Sequence, residues 1–255
     1  MNNIREKLIK FKTDSNQIVC ITCYDASFSK ILDDLKIDIV LVGDSLGMVI
    51  QGENNTHDVK IEEVSYHTEC VAKNKNNFIL MSDMPKNSYQ TSENALLNAK
   101  KLIKSKADIV KVEYKDEYKN IIKKLISENI PVCGHLGLLP QYVSQKEDIR
   151  VYGKNETESN IILEEAKALE KLGVDIVLLE CVDKKLSEKI TKALSIPVIG
   201  IGSGEFCDGQ VQVLYDIIGI SSNPPKFSKN YLLNTNSIPS AIEKFYKYVK
   251  NISII

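Results

Sequence analysis

Four short apolar segments of the chain each end on an acidic residue, namely Asp44, Asp83, Glu113 or Glu180. A short apolar run bounded by polar residues is typical of a buried β-strand. In a barrel of parallel strands, the C-terminal strand ends meet at one mouth, where active sites lie. Four carboxylates gathered there would repel one another unless a cation joined them. The pattern therefore predicts a divalent metal site, and with it an enzyme.

The third of these segments adds a lysine to the acids. Lys111 and Glu113 share one face of a strand, because side chains two positions apart point the same way. Facing outward, both charges would be buried without partners, which is costly. For any single acid, a polar strand end or a helix N-cap is an adequate explanation, but four acids and a lysine together favour a site. Carboxylates without histidine or thiolate ligands favour a hard cation, and Mg²⁺ fits best.

Apolar, strand-like runs alternate with helix-like segments from end to end, which predicts the α/β class. Eight strands predict a (β/α)8 TIM barrel, whereas a doubly wound open sheet has fewer strands and a glycine-rich first turn. With no linker-like stretch, we expect one barrel domain over 1–255, with an N-terminal and a C-terminal helix.

The predicted strands are Ile18–Tyr24, Ile37–Val42, Asn77–Ser82, Asp108–Glu113, Ile130–Gly134, Val174–Glu180, Ile196–Ile201 and Ile217–Ile220. The predicted helices between them are Ala26–Leu35, Ile61–Asn74, Thr91–Ser105, Glu117–Glu128, Glu158–Leu172, Lys184–Leu194 and Gly209–Tyr215.

The charge balance gives no reason to expect nucleic acid or an anionic membrane as a partner. Lysine and arginine total 33 and aspartate and glutamate 34, for a net charge of −1. No apolar run approaches the ~18 residues of a membrane span, and Met1–Asn16 lacks the apolar core of a signal peptide. Most of the six cysteines lie in apolar runs, as expected of reduced thiols in a cytoplasmic protein. Cys20 and Cys23 would face opposite sides of one strand, which argues against a metal or redox pair.

Two long connections and two further motifs lie on the predicted mouth side. The connections run from 43 to 60 and from 135 to 157, and long loops there are usually functional. His135 ends the fifth strand and is a candidate substrate contact, with a structural role as the alternative. The glycines in Gly200–Gly204 could bind phosphate through backbone N–H groups, or could only permit a tight turn.

Several stretches, in order along almost the whole chain, resemble one family. The longest are Val42–Met48, with the sequence VGDSLGM, and Val132–Leu138, with the sequence VCGHLGL; shorter ones include Lys111–Glu113 and Leu179–Val182. The sequence resembles the 3-methyl-2-oxobutanoate hydroxymethyltransferase family, also called ketopantoate hydroxymethyltransferase. The resemblance implies a Mg²⁺-dependent barrel of the phosphoenolpyruvate/pyruvate type and a role in pantothenate biosynthesis.

In the implied reaction, 5,10-methylenetetrahydrofolate, 3-methyl-2-oxobutanoate and water give tetrahydrofolate and 2-dehydropantoate. By motif, the Mg²⁺ ligands would be Asp44, Asp83 and Glu113, some of them through water. The residues contacting the keto acid would be Asp44, Ser45, Asp83 and Lys111, and the proton acceptor would be Glu180. The resemblance also implies homo-oligomers, commonly decamers.

The implied roles are chemically consistent with one another. The C3 proton of a 2-oxo acid does not leave unaided at neutral pH, and Mg²⁺ would stabilise the negative charge of the enolate. Lys111 is the natural counter-charge for the substrate carboxylate. Glu180 lies on a different strand from the implied ligands, and apolar surroundings could raise its pKa toward the working range of a base.

Local departures from the family pattern are Lys86, where an apolar aromatic is usual, the segment 145–148, where a glycine pair is common, and Tyr215, which replaces a frequent histidine. They leave the metal and proton-transfer residues unchanged.

Two alternatives stay open on the sequence. One is a Mg²⁺-dependent C–C lyase of the isocitrate lyase type, since Cys133–His135 faintly resembles the lyase Cys-Gly-His motif. The other is a non-catalytic barrel that binds a metabolite.

Overall fold

A closed barrel of eight parallel strands forms the centre of the protein. The computed structural model describes residues 2–251. Each strand pairs in parallel with the next, and the last strand pairs with the first. The predicted (β/α)8 barrel is confirmed. The strands are β1 Ile18–Thr22, β2 Ile39–Val42, β3 Ile79–Asp83, β4 Ile109–Glu113, β5 Val132–Gly137, β6 Ile176–Glu180, β7 Val198–Ile201 and β8 Gly209–Gln212.

Helices surround the barrel and close its ends. Those in the described part of the chain are α1 Asn2–Thr13, α2 Ala26–Asp34, α3 Leu46–Val49, α4 Ile61–Ala72, α5 Ser92–Lys104, α6 Lys119–Ser127, α7 Glu156–Leu172, α8 Lys184–Ala193, α9 Leu214–Ile217 and α10 Ile238–Lys250. Short 3-10 turns occur at Asp116–Tyr118, Pro140–Tyr142 and Lys146–Asp148. Thr91, placed at the start of a predicted helix, is the N-cap of α5, because its hydroxyl accepts a hydrogen bond from the Asn94 amide.

The sequence prediction was wrong at the closing strand. We predicted a helix over Gly209–Tyr215 and a strand over Ile217–Ile220, but β8 is Gly209–Gln212 and a short helix, α9, follows at Leu214–Ile217. The β8 segment is short and half polar, so its own pattern is weak. It becomes a strand because it must pair with both β1 and β7 to close the barrel. Local hydrophobicity favoured the isoleucine-rich run after it instead.

The core has two layers. Inside the barrel, Ile18, Ile39 and Met81 belong to a cluster that includes the buried Leu8 of α1. The N-terminal helix α1 therefore packs against the interior of the barrel through Leu8. A larger cluster fills the space between the strands and the outer helices.

The cysteines are all unpaired, as expected. Cys20 lies in the cluster inside the barrel and Cys23 in the outer cluster, so the two thiols are on opposite sides of the sheet. Within residues 2–251, no helix is long and apolar enough to cross a membrane.

Four aspartates join neighbouring strands at the N-terminal end of the barrel. Each carboxylate accepts a hydrogen bond from a backbone N–H at or next to the start of the preceding strand and also pairs with a basic side chain. The pairs of aspartate and cation are Asp38 with Lys250, Asp108 with Lys75, Asp175 with Arg5, and Asp208 with Lys12. The hydrogen-bond donors are the N–H groups of Val19, Leu80, Val132 and Val198, at 2.8–2.9 Å. Three of the four cations belong to the terminal helices α1 and α10.

Candidate active site

The four acids predicted from the strand ends lie at the C-terminal mouth of the barrel. Asp83 ends β3, Glu113 ends β4 and Glu180 ends β6, while Asp44 lies two residues beyond β2. Asp44, Asp83 and Glu113 are at most 5% exposed. Lys111 is equally buried and is paired in register with Asp83 across β3 and β4. The barrel thus holds these charged groups away from bulk water.

The carboxylate of Asp83 has a hydrogen-bond donor on each of its two oxygens, and one of these donors is a positively charged lysine. Its Oδ1 accepts a short hydrogen bond from Lys111 Nζ, and its Oδ2 accepts a hydrogen bond of 2.9 Å from the Asp44 backbone N–H. Gly43 permits this approach, since a Cβ there would lie 2.8 Å from Ser45 Oγ and 3.4 Å from Asp83 Oδ2. Lys111, which we expected beside the acids at the mouth, lies there and pairs with Asp83.

Gln141 joins two of the other acids. Its side-chain Nε2 donates to Asp44 Oδ2 at 2.9 Å, and its backbone N–H lies 3.2 and 3.3 Å from the two carboxylate oxygens of Glu113. The same Nε2 donates to the carbonyl of Met84 at 3.0 Å. The side-chain Oε1 accepts a hydrogen bond of 2.6 Å from the Tyr89 hydroxyl. Gln141 is only 1% exposed, so this amide is fixed on all sides.

Burial and mutual repulsion make two of these acids hard to ionise. The pKa of Asp44 is raised to about 7, first by burial and then by the negative charge of Asp83, against the opposing effect of Lys111. The pKa of Glu113 is raised well above its usual value, again mainly by burial and then by Asp44. For Lys111, the neighbouring charges outweigh the effect of burial. Burial lowers its pKa, but Asp83, Asp44 and Glu113 outweigh burial and raise it, so the lysine stays charged.

Glu180 lies next to His135, which stands between it and Glu113. Its Oε2 is 3.3 Å from His135 Nε2, and its side chain keeps 18% exposure. Burial raises the pKa of Glu180 to about 7, partly offset by Lys111. Burial, and then the positive charge of Lys111, lower the pKa of His135 well below its usual value, so the imidazole is neutral. Its other nitrogen lies 3.8 Å from Glu113 Oε1, which places His135 between the two acids.

The end of β5 fits closely against the backbone of Glu180. Gly137 has a φ of +93°, and a Cβ there would lie 2.2 Å from the Glu180 carbonyl oxygen. The Leu138 N–H donates to that oxygen at 2.8 Å. A glycine is therefore needed at this position, both for its backbone angle and for the space.

Ser45 and the two long loops complete the mouth. The Ser45 hydroxyl lies 2.8 Å from the Tyr24 hydroxyl. His57, in the loop after β2, has its Nε2 at 3.2 Å from the carbonyl of Pro140 in the loop after β5. The two loops predicted to be functional therefore contact each other across the mouth.

The glycine cluster after β7 makes close internal contacts. The Ser203 hydroxyl donates to the Leu179 carbonyl at 2.8 Å and accepts from the Val182 N–H at 3.0 Å. A Cβ at Gly202 would meet the ring of Phe227 at 2.6 Å. These contacts agree with the tight-turn alternative for this segment.

The donor set fits a hard divalent cation. Asp44, Asp83 and Glu113 are buried with one lysine among them, and positive charge would stabilise the ionised forms of Asp44 and Glu113. Within residues 2–251, no three histidine, cysteine or acidic side chains already surround one point. The Gln141 amide lies between Asp44 and Glu113. Oxygen donors of this kind are those that Mg²⁺ prefers, with water or substrate in the remaining positions.

Sequence reasoning did not single out Gln141, Tyr89 or Tyr24 as residues of the site. The available signal for Gln141 was its position in the long loop after β5. Nothing in the local sequence indicates that its amide reaches Asp44, which is 97 positions away along the chain.

The fold is shared with a class of barrel enzymes. Phosphoenolpyruvate phosphomutase from Streptomyces platensis subsp. rosaceus superposes with a TM-score of 0.64 at 11% identity, covering 84% of this chain and 82% of that one. At this identity, the likeness concerns the barrel architecture alone.

The sequence comparisons identify the family. The family model for ketopantoate hydroxymethyltransferase matches residues 3–253. The 3-methyl-2-oxobutanoate hydroxymethyltransferase of Vibrio parahaemolyticus is 44% identical over 245 residues, which are 96% of this chain and 93% of that protein. The enzyme of the same name from Vesicomyosocius okutanii is 44% identical over 247 residues, or 96% and 95% of the two chains. The chain belongs to the ketopantoate hydroxymethyltransferase family, as the sequence motifs predicted.

Proposed function

We propose that this protein transfers a hydroxymethyl group from 5,10-methylenetetrahydrofolate to C3 of 3-methyl-2-oxobutanoate, giving 2-dehydropantoate and tetrahydrofolate. Family membership supports the reaction, and the mouth of the barrel offers groups for each part of it. A C–C lyase, the runner-up on sequence, has no support in the family match.

Binding of the keto acid is assigned to the cluster around Lys111. Lys111 stays charged and can pair with the substrate carboxylate, while Asp44, Ser45 and Asp83 are the other contacts that the family motif implies. Mg²⁺, held by Asp44, Asp83 and Glu113 directly or through water, would supply positive charge that stabilises the enolate. Because the cluster is buried, charge interactions there are stronger than in water.

Proton removal from C3 is assigned to Glu180. Its pKa of about 7 matches the working pH of a general base, so it can accept the C3 proton and return it at low cost. His135 is neutral and packs between Glu180 and Glu113, so it adds no positive charge that would weaken this base. The activated carbon then bonds to the one-carbon unit of the co-substrate, whose two C–N bonds to the folate break. Water supplies the hydroxyl group, and its second proton and the C3 proton end on N5 and N10 of the released tetrahydrofolate.

The observation that supports the assignment is that Glu180, with a pKa of about 7, lies next to the neutral His135 at the mouth, beside the buried carboxylate–lysine cluster. The test is proton exchange followed by NMR. The protein is mixed with 3-methyl-2-oxobutanoate in D₂O, with Mg²⁺ or with EDTA, and methylenetetrahydrofolate is then added. We expect Mg²⁺-dependent loss of the C3 proton signal, followed by 2-dehydropantoate. Exchange without product would favour the lyase, and neither exchange nor product would favour a binding barrel.

Glu180→Gln tests the role of the base directly. The variant keeps the size and polarity of the side chain but cannot take a proton. We expect exchange and turnover to fall about 100- to 10,000-fold, with little change in the affinity for the keto acid by calorimetry. Glu188→Gln, on the surface of α8, is the matched control. Near-normal exchange in Glu180→Gln would remove Glu180 from this role.

We also propose that the protein forms homo-oligomers, as the family resemblance implies. Tyr66 on α4 and Leu97 on α5 are 64% and 68% exposed, and these two helices pack side by side. Large apolar side chains exposed on adjacent helices favour a contact with another protein surface. Light scattering after gel filtration measures the mass in solution. A monomer at micromolar concentration would contradict the proposal.

A further inference from the structure

A small cavity of about 290 Å³ opens at the rim of the mouth, beside the acid cluster. We call it the rim pocket, and its lining residues are Lys86, Asn87, Tyr89, Gln90, Tyr118 and Tyr142. They come from the segments after β3, β4 and β5, which also carry the acids and Gln141. Through the hydrogen bond from the Tyr89 hydroxyl to Gln141 Oε1, the pocket adjoins the residue that binds Asp44 and Glu113.

Three tyrosine rings shape the rim pocket. Tyr89 and Tyr118 lie edge to face, with ring centroids 5.2 Å apart. The Tyr142 hydroxyl donates to the Tyr118 hydroxyl at 2.6 Å. The hydroxyls of Tyr89 and Tyr142 already donate to protein atoms, so these two tyrosines offer mainly their rings to a ligand, beside the polar groups of Lys86, Asn87 and Gln90. Such a surface favours an aromatic group, which packs well against aromatic rings.

Positive charge lies at the same rim. Lys86 lines the pocket, and Lys115 Nζ lies 3.4 Å from the ring centroid of Tyr142. The nearby acids are Asp116, whose carboxylate accepts a hydrogen bond from Tyr114, and the exposed Glu117. Among the residues that line the pocket itself, the charged one is Lys86. The ligand that fits is therefore an aromatic ring carrying a carboxylate.

We propose that the rim pocket binds the p-aminobenzoyl-glutamate half of the folate co-substrate, with the ring among the tyrosines and a glutamate carboxylate at Lys86. This inference rests on the proposed function. In 5,10-methylenetetrahydrofolate, the aryl ring is attached to N10, one of the two nitrogens that hold the one-carbon unit. When that carbon faces the keto acid at the acid cluster, the aryl ring is the next group outward. The rim pocket lies in that position.

The size of the pocket agrees with part of the co-substrate and not with all of it. The volume of about 290 Å³ includes space that is open to solvent, so the pocket holds at most one ring and the start of its side chain. The pterin is then left over the mouth, nearer to Glu180. The glutamate tail is left at the rim, where Lys86 can reach it.

A second cavity of about 580 Å³ provides the comparison. It includes Gln210, Gln212, Lys229 and Tyr248 in its lining. Gln210 and Gln212 alternate with Val211, whose side chain points into the barrel, so this cavity lies on the outer face of β8. Lys229 lines this cavity, as Lys86 lines the rim pocket, and both cavities also contain tyrosine rings. Lys229 is therefore the matched control residue for Lys86.

The test is a kinetic comparison of Lys86→Ala and Lys86→Glu with Lys229→Ala. We expect the KM for methylenetetrahydrofolate to rise roughly 10-fold in Lys86→Ala, as for the loss of a charge-assisted contact, and further in Lys86→Glu. Deuterium exchange at C3 of the keto acid, which needs no folate, should be unchanged in both. Lys229→Ala should leave both measurements unchanged.

A shortened co-substrate makes the test specific for the tail. Methylenetetrahydropteroate, which lacks the glutamate, should bind the wild-type protein more weakly than methylenetetrahydrofolate, and Lys86→Ala should remove that difference. A preference for the glutamate that survives in Lys86→Ala, or an unchanged KM, would overturn the assignment of the pocket. Absence of exchange and of product in the wild-type protein would instead overturn the proposed function, so the two failures are distinguishable.

Discussion

At the scale of single residues, Gln141 is the contact that organises the acid cluster. Its side chain and its backbone N–H bind Asp44 and Glu113, which both have raised pKa values, and Tyr89 fixes the orientation of its amide. Side chains that orient metal-binding carboxylates commonly change metal affinity 10- to 100-fold when they are replaced. Gln141 is thus a positioning residue, since it acts through the acids that it holds.

The first prediction concerns Gln141→Leu. The variant keeps the approximate volume but removes the donor to Asp44 and the acceptor for Tyr89. We expect Mg²⁺ affinity in titration calorimetry to fall about 10-fold or more, because Asp44 is no longer oriented. Gln51→Leu, at an exposed position of the loop after β2, is the control. Equal Mg²⁺ affinity in the Gln141 variant and the control would show that the amide has no positioning role.

At the scale of secondary-structure elements, the geometry of the site depends on how the strand ends meet. β5 and β6 are in register such that Gly137 is paired with Glu180. The left-handed backbone of Gly137 lets the loop after β5 turn over the Glu180 carbonyl, and this loop carries Gln141. One strand end therefore positions both the proposed base and the residue that holds Asp44.

The second prediction is that Gly137→Ala lowers stability and C3 exchange by more than the unfavourable backbone angle alone would. An alanine there adopts an unfavourable φ and also meets the Glu180 carbonyl at 2.2 Å, so β5 and β6 must separate locally. Gly52→Ala is a matched control, because its φ is +79° but a Cβ there has no atom within 4 Å. By chemical denaturation, we expect Gly52→Ala to lose about 1 kcal/mol and Gly137→Ala to lose clearly more, with reduced C3 exchange. Similar losses in the two variants would contradict the steric argument.

At the scale of the whole molecule, the two ends of the barrel serve different purposes. At the N-terminal end, each of the four aspartates has both a backbone donor and a cation, mostly from α1 and α10, so charge there is balanced. At the mouth, the negative charges of Asp44, Glu113 and Glu180 are not each paired with a cation, and the pKa values of these acids are raised. The N-terminal end thus carries four aspartate–cation pairs, whereas at the mouth the Asp83–Lys111 pair lies among three further acids.

The third prediction follows from these raised values. A folded-state pKa above the unfolded one means that the folded protein binds protons more tightly. The stability that Asp44 and Glu180 contribute is therefore lost as the pH rises from about 4 to about 7, and that of Glu113 is lost in the same direction. The loss is roughly 1.4 kcal/mol per pH unit for each group over its range. His135, whose pKa is lowered, opposes this below about pH 6.5, but it is one group against six, because burial also raises the pKa values of Glu165, Asp175 and Asp208. We therefore expect the metal-free protein to melt at a lower temperature at pH 7.5 than at pH 5.5.

Mg²⁺ should reverse this loss, because it binds the ionised acids of the folded protein and not the unfolded chain. Calorimetric scans should show a larger rise in Tm on adding Mg²⁺ at pH 7.5 than at pH 5.5, with NaCl at equal ionic strength as the control. Asp44→Asn should reduce both the pH dependence and the Mg²⁺ effect. An equal Mg²⁺ effect at the two pH values would mean that the cation acts elsewhere.

The sequence alone determined the parts of this protein that rest on local patterns. Apolar runs of strand length ending in acids placed Asp44, Asp83, Glu113 and Glu180 at one mouth, because in a parallel barrel all C-terminal strand ends lie on the same side. The sequence motifs also identified the family. These inferences need only the period of a strand and the direction of the chain.

Only the tertiary structure decided the features that depend on distant parts of the chain. The polar segment Gly209–Gln212 becomes a strand because β1 and β7 leave a gap that a strand must close, although the next segment is more apolar. Gln141 reaches Asp44 across 97 positions, and the rim pocket forms where three separate loops meet. Such contacts have no local sequence pattern, because their free energy comes from pairing and packing between segments that are brought together only on folding.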